Sequence, residues 1–499
     1  MTKGNVLLVT LDQLAASVLD GDLAAHVPTP NLDRLRGQGT YFANHFTVTV
    51  PCGPARASLL TGLYAMNHRA VRNGAPLARH HATVATEARK SGYEPLLFGY
   101  SDVMPDPTGV DPEDPDLSVY EGVAPGFREL VEMRLEHGRE WPGYLAEKGY
   151  DVHMGPDNWP SFFVPQGEGR PSDPAPYAAE HSDTCYLTDR TLTALDIRHR
   201  LGEAWFAHLT YIRPHPPLLA PAPYNRLVDP ASLPLPELAA PDHPFVSAWF
   251  SRPVFGGLYH GFDGDCAGMS AARMAELRAV YLGLVAEVDH HLGRVLDWLD
   301  VTGQADNTLV VVTADHGEML GAKRMWGKES VFEPAYHVPL ILRVPGQPGG
   351  TRVEAITESV DLAPTVLDWI GRAAPEAMDG ASLLPFCTGE TPTGWRDAAL
   401  LEADFGDPRR PTRFQAAWDL PLNRCGVSIL REAAWKYVHF GGGVPPMLFD
   451  LKADPNETRD LAADPAHASE VSRLARKLLD RMSERRDRRL TGWTLSPHS

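Results

Sequence analysis

The 499-residue chain has few cysteines, a shortage of positive charge and no long apolar run, and each shortage excludes a class of protein. Five scattered cysteines, an odd number, do not make the paired framework that stabilises small secreted domains. Lys and Arg number 46 against 64 Asp and Glu, for a formal net charge of -18. Bulk charge therefore does not favour nucleic acid or an anionic membrane, and we expect neither as a partner.

The apolar runs are too short to cross a membrane. The first occupies residues 6–9 and lacks the pattern of a cleavable secretory leader. We therefore predict no membrane segment and a cytoplasmic location. Cys185, Cys266, Cys387 and Cys425 are predicted to be small buried apolar side chains.

The order of predicted elements indicates an α/β fold. Strand-like apolar runs alternate with helical patterns over the first two-thirds of the chain, which predicts a large, mostly parallel sheet sandwiched by helices. The strongest helical pattern covers residues 270–299. Thr29 is predicted to cap a shorter helix that starts with Pro30. Residues 1–375 are predicted to form the catalytic domain.

Two other regions differ in pattern from this α/β alternation. A long loop-rich insertion at 101–181 is typical of a pocket wall or a subunit contact. Residues 376–499 are predicted to form a smaller α+β subdomain with a short antiparallel sheet and a terminal helix. The short strands and the helix are predicted at 398–402, 427–430, 435–440, 447–451 and 466–485.

Two predicted strands end in side chains that commonly bind metal ions. Asp12 and Gln13 follow the first strand, and Asp315 and His316 follow a later β-branched strand. In open α/β sheets, ligands bind beyond the carboxyl ends of the strands, so Asp12, Asp315 and His316 are expected to converge. Carboxylates suit a hard divalent cation, and the imidazole favours Mn, Ca or Zn over Mg.

A cysteine stands just before another predicted helix, which covers residues 54–64. It lies in the sequence Cys-Gly-Pro-Ala-Arg at 52–56, followed by Leu-Thr-Gly at 60–62. Helix N-termini favour anions and lower the pKa of a thiol. Arg56 lies one turn further along and can reach back over residue 52. The alternative is a purely structural Cys52.

This segment resembles the signature of the type I sulfatases, in the alkaline phosphatase superfamily. Further segments that resemble the family are Asp-His-Gly-Glu at 315–318, Val-Asp-Leu-Ala-Pro-Thr at 360–365 and Phe-Asp-Leu at 449–451. Within the family, the Cys-Gly-Pro-Ala-Arg variant and Arg-Pro-His-Pro-Pro at 213–217 are most similar to phosphonate monoester hydrolases. The resemblance extends from the first strand to about residue 490.

The resemblance implies a nucleophile made from Cys52. In the family, a formylglycine-generating enzyme oxidises this cysteine to formylglycine, whose hydrate attacks the substrate. One divalent metal, Mn or Ca, would be held by Asp12, Cys52, Asp315 and His316. Arg56 would hold the nucleophile.

The resemblance also implies contacts with a small anionic ester. His215 or Lys328 would protonate or stabilise the leaving oxygen. The alternatives are a structural role for His215, a solvated Lys328, a core position for Tyr100 and an ordinary turn at Asn73. The residues predicted to bind substrate are Gln13, Asn73, Tyr100 and Asp102.

The chain departs from typical arylsulfatases at residues 99–102. It has Gly-Tyr-Ser-Asp where they carry Gly-Lys-Trp-His, so positive charge is missing. We infer tolerance of monoanions such as phosphonate monoesters and phosphodiesters. Asp102 replaces a hydroxyl residue of the phosphonate hydrolases, and its carboxylate would repel an anion unless it is protonated, turned away or paired. Lys323 is predicted to restore positive charge at the pocket rim.

Three functions are consistent with the sequence. The first is a hydrolase of phosphonate monoesters, phosphodiesters and aryl sulfates. The second is a narrower sulfatase acting on one natural sulfate ester, and the third is an unmodified metal-binding pseudo-enzyme. The resemblance also implies a homodimer or homotetramer, to which the Arg-rich C-terminal helix would contribute unless it is simply solvated.

Overall fold

The structure is a computed structural model that describes residues 4–114, 117, 119–136, 138–155, 159–254 and 256–487. Arg488 and Arg489 of the Arg-rich terminal segment lie outside the described residues. No helix in the described ranges combines the length and apolarity that a membrane span requires.

An eight-stranded sheet forms the centre of the molecule and confirms the α/β prediction. Seven of its strands run parallel to a neighbour, and β8 alone is antiparallel to both of its neighbours. In spatial order the strands are β5 (Arg128–Glu132), β4 (Pro95–Gly99), β6 (Phe206–Tyr211), β1 (Asn5–Leu11), β7 (Thr308–Ala314), β8 (Leu340–Arg343), β2 (Thr40–Phe46) and β9 (Thr351–Glu358).

Both faces of this sheet are covered because its central strands are apolar on both sides. In β1, Leu7 and Val9 belong to one core cluster, whereas Val6 and Leu8 belong to another on the opposite face. Successive side chains of a strand point to opposite faces, so a continuous apolar run requires two layers of cover. The helices are α1 (Ser17–Asp20), α2 (Pro30–Gln38), α3 (Cys52–Thr61), α4 (Ala65–His68), α5 (Val84–Lys90), α6 (Glu140–Glu147), α7 (Asp183–Arg200), α8 (Pro244–Trp249), α9 (Ala271–Val301), α10 (Glu333–Tyr336), α11 (Leu362–Trp369), α12 (Leu384–Cys387), α13 (Arg413–Trp418) and α14 (Ala468–Glu484).

A smaller five-stranded sheet lies in the C-terminal region. Its order is β13 (Met447–Asp450), β12 (Trp435–Phe440), β11 (Gly426–Glu432), β10 (Ala398–Asp404) and β3 (Thr49–Val50). The first four are antiparallel, whereas β3 comes from the N-terminal region and pairs with β10 in parallel. One face packs on α14, and the other belongs to the main core cluster. The predicted division at residue 376 stays a prediction.

The start of α2 differs from the prediction in its cap. The helix does begin at Pro30, but the Thr29 side chain makes no capping hydrogen bond. The free N–H groups of Asn31 and Leu32 donate instead to the Asp289 carboxylate of α9, at 3.1 and 2.7 Å. The Asp289 carboxylate from a neighbouring helix therefore caps the N-terminus of α2 in place of Thr29.

Candidate active site

The predicted metal ligands do converge at the carboxyl end of the sheet. Because β1 and β7 are adjacent and parallel, their ends place Asp12 beside Asp315 and His316. Asp12, Cys52, Asp315 and His316 each offer one ligand atom, and these atoms all lie within 4.8 Å of one another. All four side chains are buried.

Cys52 is the first residue of α3, which begins two residues earlier than the predicted start at Pro54. Its Sγ lies 3.1 Å from His316 Nε2 and 3.0 Å from Lys328 Nζ. Gly53 lets the chain pack closely here, since a Cβ at this position would stand only 3.0 Å from the Asp102 carbonyl oxygen and 3.2 Å from Asn73 Oδ1. The Asn73 side-chain oxygen accepts a hydrogen bond from the Gly53 N–H at 2.9 Å, which anchors the first turn of the helix.

Arg56 lies deep under the site, between the two carboxylates. Its guanidinium donates to Asp12 Oδ2 at 2.9 Å, to Asp315 Oδ2 at 2.8 Å and to the Tyr100 carbonyl at 2.8 Å. It also stacks on the Tyr100 ring, 4.1 Å from the centroid, while the Tyr100 hydroxyl donates to Asp12. The Arg56 guanidinium thus bonds the two carboxylates and the Tyr100 carbonyl, not Cys52. A role for Arg56 in holding the nucleophile stays a prediction.

Lys328 connects the remaining predicted residues. Its ammonium donates to Gln13 Oε1 at 2.9 Å and to His215 Nε2 at 2.8 Å, in addition to Cys52. His215 Nδ1 faces the Pro216 carbonyl, so Nδ1 carries the proton and Nε2 accepts from Lys328. The structure therefore brings Gln13, His215 and Lys328 together over Cys52.

Burial and neighbouring charges set the ionisation of the group. Burial raises the pKa of Asp12, and Asp315 raises it further. Burial also opposes ionisation of Asp315, but His316 and Arg56 lower its pKa below the ordinary value. Burial lowers the pKa of His316 to about 4, which leaves a neutral imidazole able to bind a metal. Burial raises the pKa of the Cys52 thiol well above its ordinary value, contrary to the lowering expected at a helix start, and Asp12 adds to the effect.

These residues fit a divalent cation. Asp12 Oδ1 is buried and has no hydrogen-bond partner, and it lies 3.8 Å from His316 Nε2. His316 Nδ1 faces the Gly317 carbonyl at 3.1 Å, which directs the lone pair of Nε2 toward the carboxylates. Two carboxylates and an imidazole form a mixed oxygen and nitrogen set, to which the Cys52 sulfur is adjacent, and such a set can hold a divalent cation.

Asp102 is buried behind the first turn of α3 and does not line the open cavity. Its backbone has a positive φ of 53°, and its Oδ1 has no hydrogen-bond partner. Burial raises the pKa of this carboxyl well above its ordinary value, against the lowering effect of Arg56. Asp102 therefore avoids repelling an anion in two of the three ways, because its side chain does not face the cavity and burial favours its protonated form.

Three residues that help to position the side chains of the site were not predicted from the sequence. Glu318 accepts from Gln13 and thereby holds that amide beside Lys328. Arg213 forms a buried ion pair with Asp183 at 2.9 Å and donates to the carbonyls of His215 and Pro217, which fixes the loop that carries His215. Glu318 lies within the Asp-His-Gly-Glu segment and Arg213 within Arg-Pro-His-Pro-Pro, so both motifs contain the signal. For Asp183 the sequence offers no signal.

The position of Lys323 differs from the prediction. Its ammonium bonds the Asn456 carbonyl, and the side chain lines a separate cavity with Glu333 and Glu457. Lys323 is absent from the described lining of the cavity over Cys52. The prediction that it charges the rim of the pocket is wrong, because a positive φ of 55° turns the chain away at this point.

A cavity of about 450 Å³ opens over the site. Gln13, Asn73, His215 and Lys328 line its inner end. The rest of its lining comes from residues 50–51, from Arg72, from the end of α8 and the segment after it, from the loop after β7 and from residues 404–414 of the C-terminal region. The predicted substrate-binding residues therefore divide: Gln13 and Asn73 reach the cavity, whereas Tyr100 and Asp102 lie beneath it.

Comparisons with known proteins find sulfatases and related hydrolases to be similar to this chain. A family model described as sulfatase matches residues 4–372, and one described as N-sulphoglucosamine sulphohydrolase, C-terminal, matches residues 321–485. The multifunctional alkaline phosphatase superfamily protein PehA of Trinickia caryophylli is 39% identical over 516 aligned positions, covering 100% of this chain and 98% of that protein. A choline-sulfatase of Rhizobium meliloti is 26% identical over 93% of this chain and 83% of its own length.

Two solved structures match over the whole chain. The phosphonate monoester hydrolase SpPMH of Silicibacter pomeroyi has a TM-score of 0.91 and 45% identity, covering 100% of this chain and 98% of its own. The phosphonate monoester hydrolase of Agrobacterium radiobacter also has a TM-score of 0.91, with 37% identity, covering 100% and 99%.

Proposed function

Because the chain belongs to the sulfatase family of the alkaline phosphatase superfamily, and is thus a hydrolase, we propose that it cleaves phosphonate monoesters, phosphodiesters and aryl sulfate esters. The proposed nucleophile is formylglycine derived from Cys52, with one divalent metal, Mn or Ca, as cofactor. The observation that carries the proposal is the position of Cys52, which touches Lys328 and His316 and lies within 4.8 Å of Asp12 and Asp315.

Formylglycine at residue 52, once hydrated, would supply one hydroxyl as a nucleophile toward phosphorus or sulfur and a second hydroxyl through which the covalently held product could be released, so that one difficult step would be divided into two easier ones. Asp12, Asp315 and His316 would hold the metal beside it, and Lys328 would give its proton to the leaving oxygen.

Each remaining residue of the site has a role that follows from its contacts. When bound, the cation supplies charge stabilisation and lowers the pKa of a hydroxyl it contacts. Arg56 holds Asp12 and Asp315 in the ligand arrangement through a buried hydrogen bond to each. Asn73 holds the start of α3. These contacts orient the site before substrate arrives, which reduces the reorganisation needed in the reaction.

Lys328 is proposed as the proton donor to the leaving oxygen. Burial opposes the charged form of its ammonium, but the neighbouring Cys52, Asp12 and Asp315 raise its pKa above the ordinary value. Burial lowers the pKa of His215 well below its ordinary value, and the neutral ring accepts a hydrogen bond from the Lys328 ammonium. His215 therefore orients the donor.

The second candidate is a narrower sulfatase. It is favoured by the more distant sulfatase relatives, whereas the chain-length similarity to two phosphonate monoester hydrolases favours the broader activity. Rates on a phenylphosphonate monoester, a phosphodiester and an aryl sulfate, measured with one preparation, separate the two candidates. Activity on the aryl sulfate alone would select the sulfatase.

The nucleophile is tested by mass spectrometry of the peptide that contains Cys52, from protein produced together with a formylglycine-generating enzyme. We expect a mass loss that matches conversion of the thiol to the aldehyde, or the mass of its hydrate. An intact thiol under these conditions contradicts the formylglycine mechanism and favours the metal-binding pseudo-enzyme.

Further parts of the proposal concern partners and location. We propose a homodimer or homotetramer, tested by light scattering of the purified protein, and a cytoplasmic location, tested by cell fractionation. The proposed modifying partner is the formylglycine-generating enzyme.

The other cysteines, Cys185, Cys266, Cys387 and Cys425, are buried and free, which confirms their prediction as small core side chains.

A further inference from the structure

The cavity over the active site is lined by two chemically different sets of side chains. Lys328 and His215 are polar, and Lys328 contacts Cys52. The second set is an aromatic wall, by which we mean Trp249, Tyr259, Trp326, Phe405 and Phe414. These five side chains come from three separate parts of the chain, and each is less than 10% exposed.

The aromatic wall is held rigidly by its own packing. The Phe405 and Phe414 rings lie 4.4 Å apart, and the Tyr259 and Trp326 rings lie 5.6 Å apart at a steep angle. Trp249 donates its indole N–H to the Glu329 carbonyl at 3.1 Å. A preformed aromatic surface of this kind binds an apolar group without a large cost of ordering side chains.

The charged side chains around the cavity balance one another. Three cations and three anions line it: Arg72, Lys328, Arg413, Glu329, Asp404 and Asp407. Arg413 stacks on Trp249, with its guanidinium 5.0 Å from the ring centroid, and bonds the Trp249 carbonyl. Lys328 is engaged beside Cys52, and the remaining two cations and three anions give no net positive charge to attract an anionic group, which favours an uncharged alcohol over an anionic one.

The place of the proton donor determines which part of the substrate meets this wall. The leaving oxygen must reach Lys328 to be protonated, and Lys328 contacts Cys52 and lines the same cavity as the aromatic wall. In an in-line displacement the alcohol on that oxygen leaves on the side opposite the nucleophile, and the cavity is the open space available to it. Since an apolar cavity of about 150 Å³ holds benzene, the 450 Å³ present exceed the need of a single ring beside the anion.

We propose that the aromatic wall is the binding site for the leaving alcohol, and that the preferred substrates are esters of a bulky, uncharged aromatic or alicyclic alcohol. The proposal rests on the proposed function, because it needs the ester bond to lie between Cys52 and Lys328. It adds that the enzyme distinguishes substrates by their leaving alcohol. The metal ligands and the nucleophile do not make this distinction.

The test uses the modified, metal-loaded enzyme and three esters of phenylphosphonic acid, with phenol, 4-ethylphenol and 4-cyclohexylphenol as leaving alcohols. These phenols have closely similar acidity, so the chemical step is nearly constant and apolar bulk is the variable. Burial of one methylene is worth a factor of about four, so we expect kcat/KM to rise about tenfold or more along the series. A flat or falling series overturns the proposal.

Two variants locate the effect. Val254→Phe adds a ring at a half-buried position of the cavity lining and is expected to lower the ratio of kcat/KM between the cyclohexylphenyl and phenyl esters at least threefold. Phe250→Ala is the matched control, since Phe250 is also half-buried and touches Trp249 but does not line the cavity. Its ratio should equal that of the wild type. An equal fall in both variants overturns the assignment.

Failure of the proposed function gives a different result. In that case none of the three esters is hydrolysed, and the alcohol site is tested by calorimetry with the free phenols. Tighter binding of 4-cyclohexylphenol than of phenol, weakened by Val254→Phe, then supports the aromatic wall alone. Equal or absent binding overturns it.

Discussion

At the scale of the residue, Lys328 is the side chain on which the proposed chemistry depends most. Its ammonium touches residue 52, Gln13 and His215 at once. A positioned general acid typically contributes roughly 10²–10⁴-fold to a rate. Because a good leaving group needs little protonation, the contribution should grow as the leaving alcohol becomes less acidic.

Lys328→Ala is therefore expected to lower kcat by roughly 10²–10⁴-fold on an ester of a weakly acidic phenol, and by much less on the 4-nitrophenyl ester. Steady-state kinetics on the two esters measures this difference. Lys323→Ala removes a buried lysine from the separate cavity and is expected to leave the ratio of the two rates unchanged. A uniform loss on both esters for Lys328→Ala would show that Lys328 is not the acid.

Asp102 is the residue at which the chain departs from the phosphonate hydrolase pattern, and its environment predicts a pH effect. Burial raises its pKa, so it is neutral below that raised value and becomes a second anion as the pH rises through it. The wild type should therefore lose kcat/KM as the pH rises through this raised pKa. Asp102→Asn, which is neutral at every pH, should match the wild type below that pKa and keep its activity above it. If the pH profiles of the two proteins fell at the same pH, the loss would belong to another group.

The individual site residues were predictable to different degrees. Asp12, Asp315 and His316 follow apolar strands, and the rule that parallel strand ends meet at one edge suffices to bring them together. The orientation of Tyr100 was not predictable, because its hydroxyl turns toward Asp12 rather than into the cavity. The partner of Arg56 also depends on tertiary packing.

At the scale of the element, the long helix α9 (Ala271–Val301) carries a buried acid that the mechanism does not use. Glu287 is fully buried, and burial raises its pKa to about 8, with Asp183 adding to the effect. In the unfolded chain a glutamate ionises near its ordinary value of about 4.3. Between these two values the folded state binds the extra proton, so the free energy of unfolding falls as the pH rises.

Glu287→Gln is expected to remove this dependence. Relative to the wild type it should gain stability as the pH increases from 5 to 8, by at most about 1.4 kcal/mol per pH unit. Chemical denaturation across this range measures the difference. Glu276→Gln is the control on the same helix, where Glu276 pairs with Arg273 nearer the surface, and its difference from the wild type should be small. A difference independent of pH for Glu287→Gln contradicts the prediction.

The elements themselves follow the sequence where their pattern is continuous. Helix α9 extends over Ala271–Val301, close to the predicted 270–299, because apolar residues recur along its whole length at helical spacing. The edge strands β5 and β9 and the inner strand β2 were not predicted. Polar residues interrupt their patterns, as in Arg128–Glu132, and pairing with a neighbouring strand decides their conformation.

At the scale of the whole molecule, the active-site cavity lies where the two sheets meet. Strand β3 (Thr49–Val50) belongs to the small sheet and leads directly to Cys52. The same sheet continues through β10 (Ala398–Asp404) to Phe405 and the aromatic wall. Sequence periodicity cannot predict this junction, because it joins segments more than 300 residues apart and no local pattern records their contact.

The bound metal should link this arrangement to the stability of the whole protein. Without a cation, Asp12 and Asp315 are two buried carboxylates near one another, and Asp12 Oδ1 has no partner. A ligand that binds only the folded state stabilises it, by about 2.7 kcal/mol when its concentration is a hundred times the dissociation constant. Treatment with a chelator should therefore lower the melting temperature and abolish activity, and Mn²⁺ or Ca²⁺ should restore both.

The site of this effect is tested with two buried aspartates. Asp12→Asn should lose most of the rise in melting temperature on addition of Mn²⁺ or Ca²⁺, since it removes a negative ligand. Asp379→Asn should keep the rise, because Asp379 bonds the Tyr64 N–H and the Asn67 side chain and is not among the clustered ligand atoms. If both variants responded like the wild type, the cation would be binding elsewhere. If the unmodified Cys52 protein showed the same rise as the modified one, the carboxylates and His316 would suffice to hold the metal, and oxidation of Cys52 would be needed for catalysis alone.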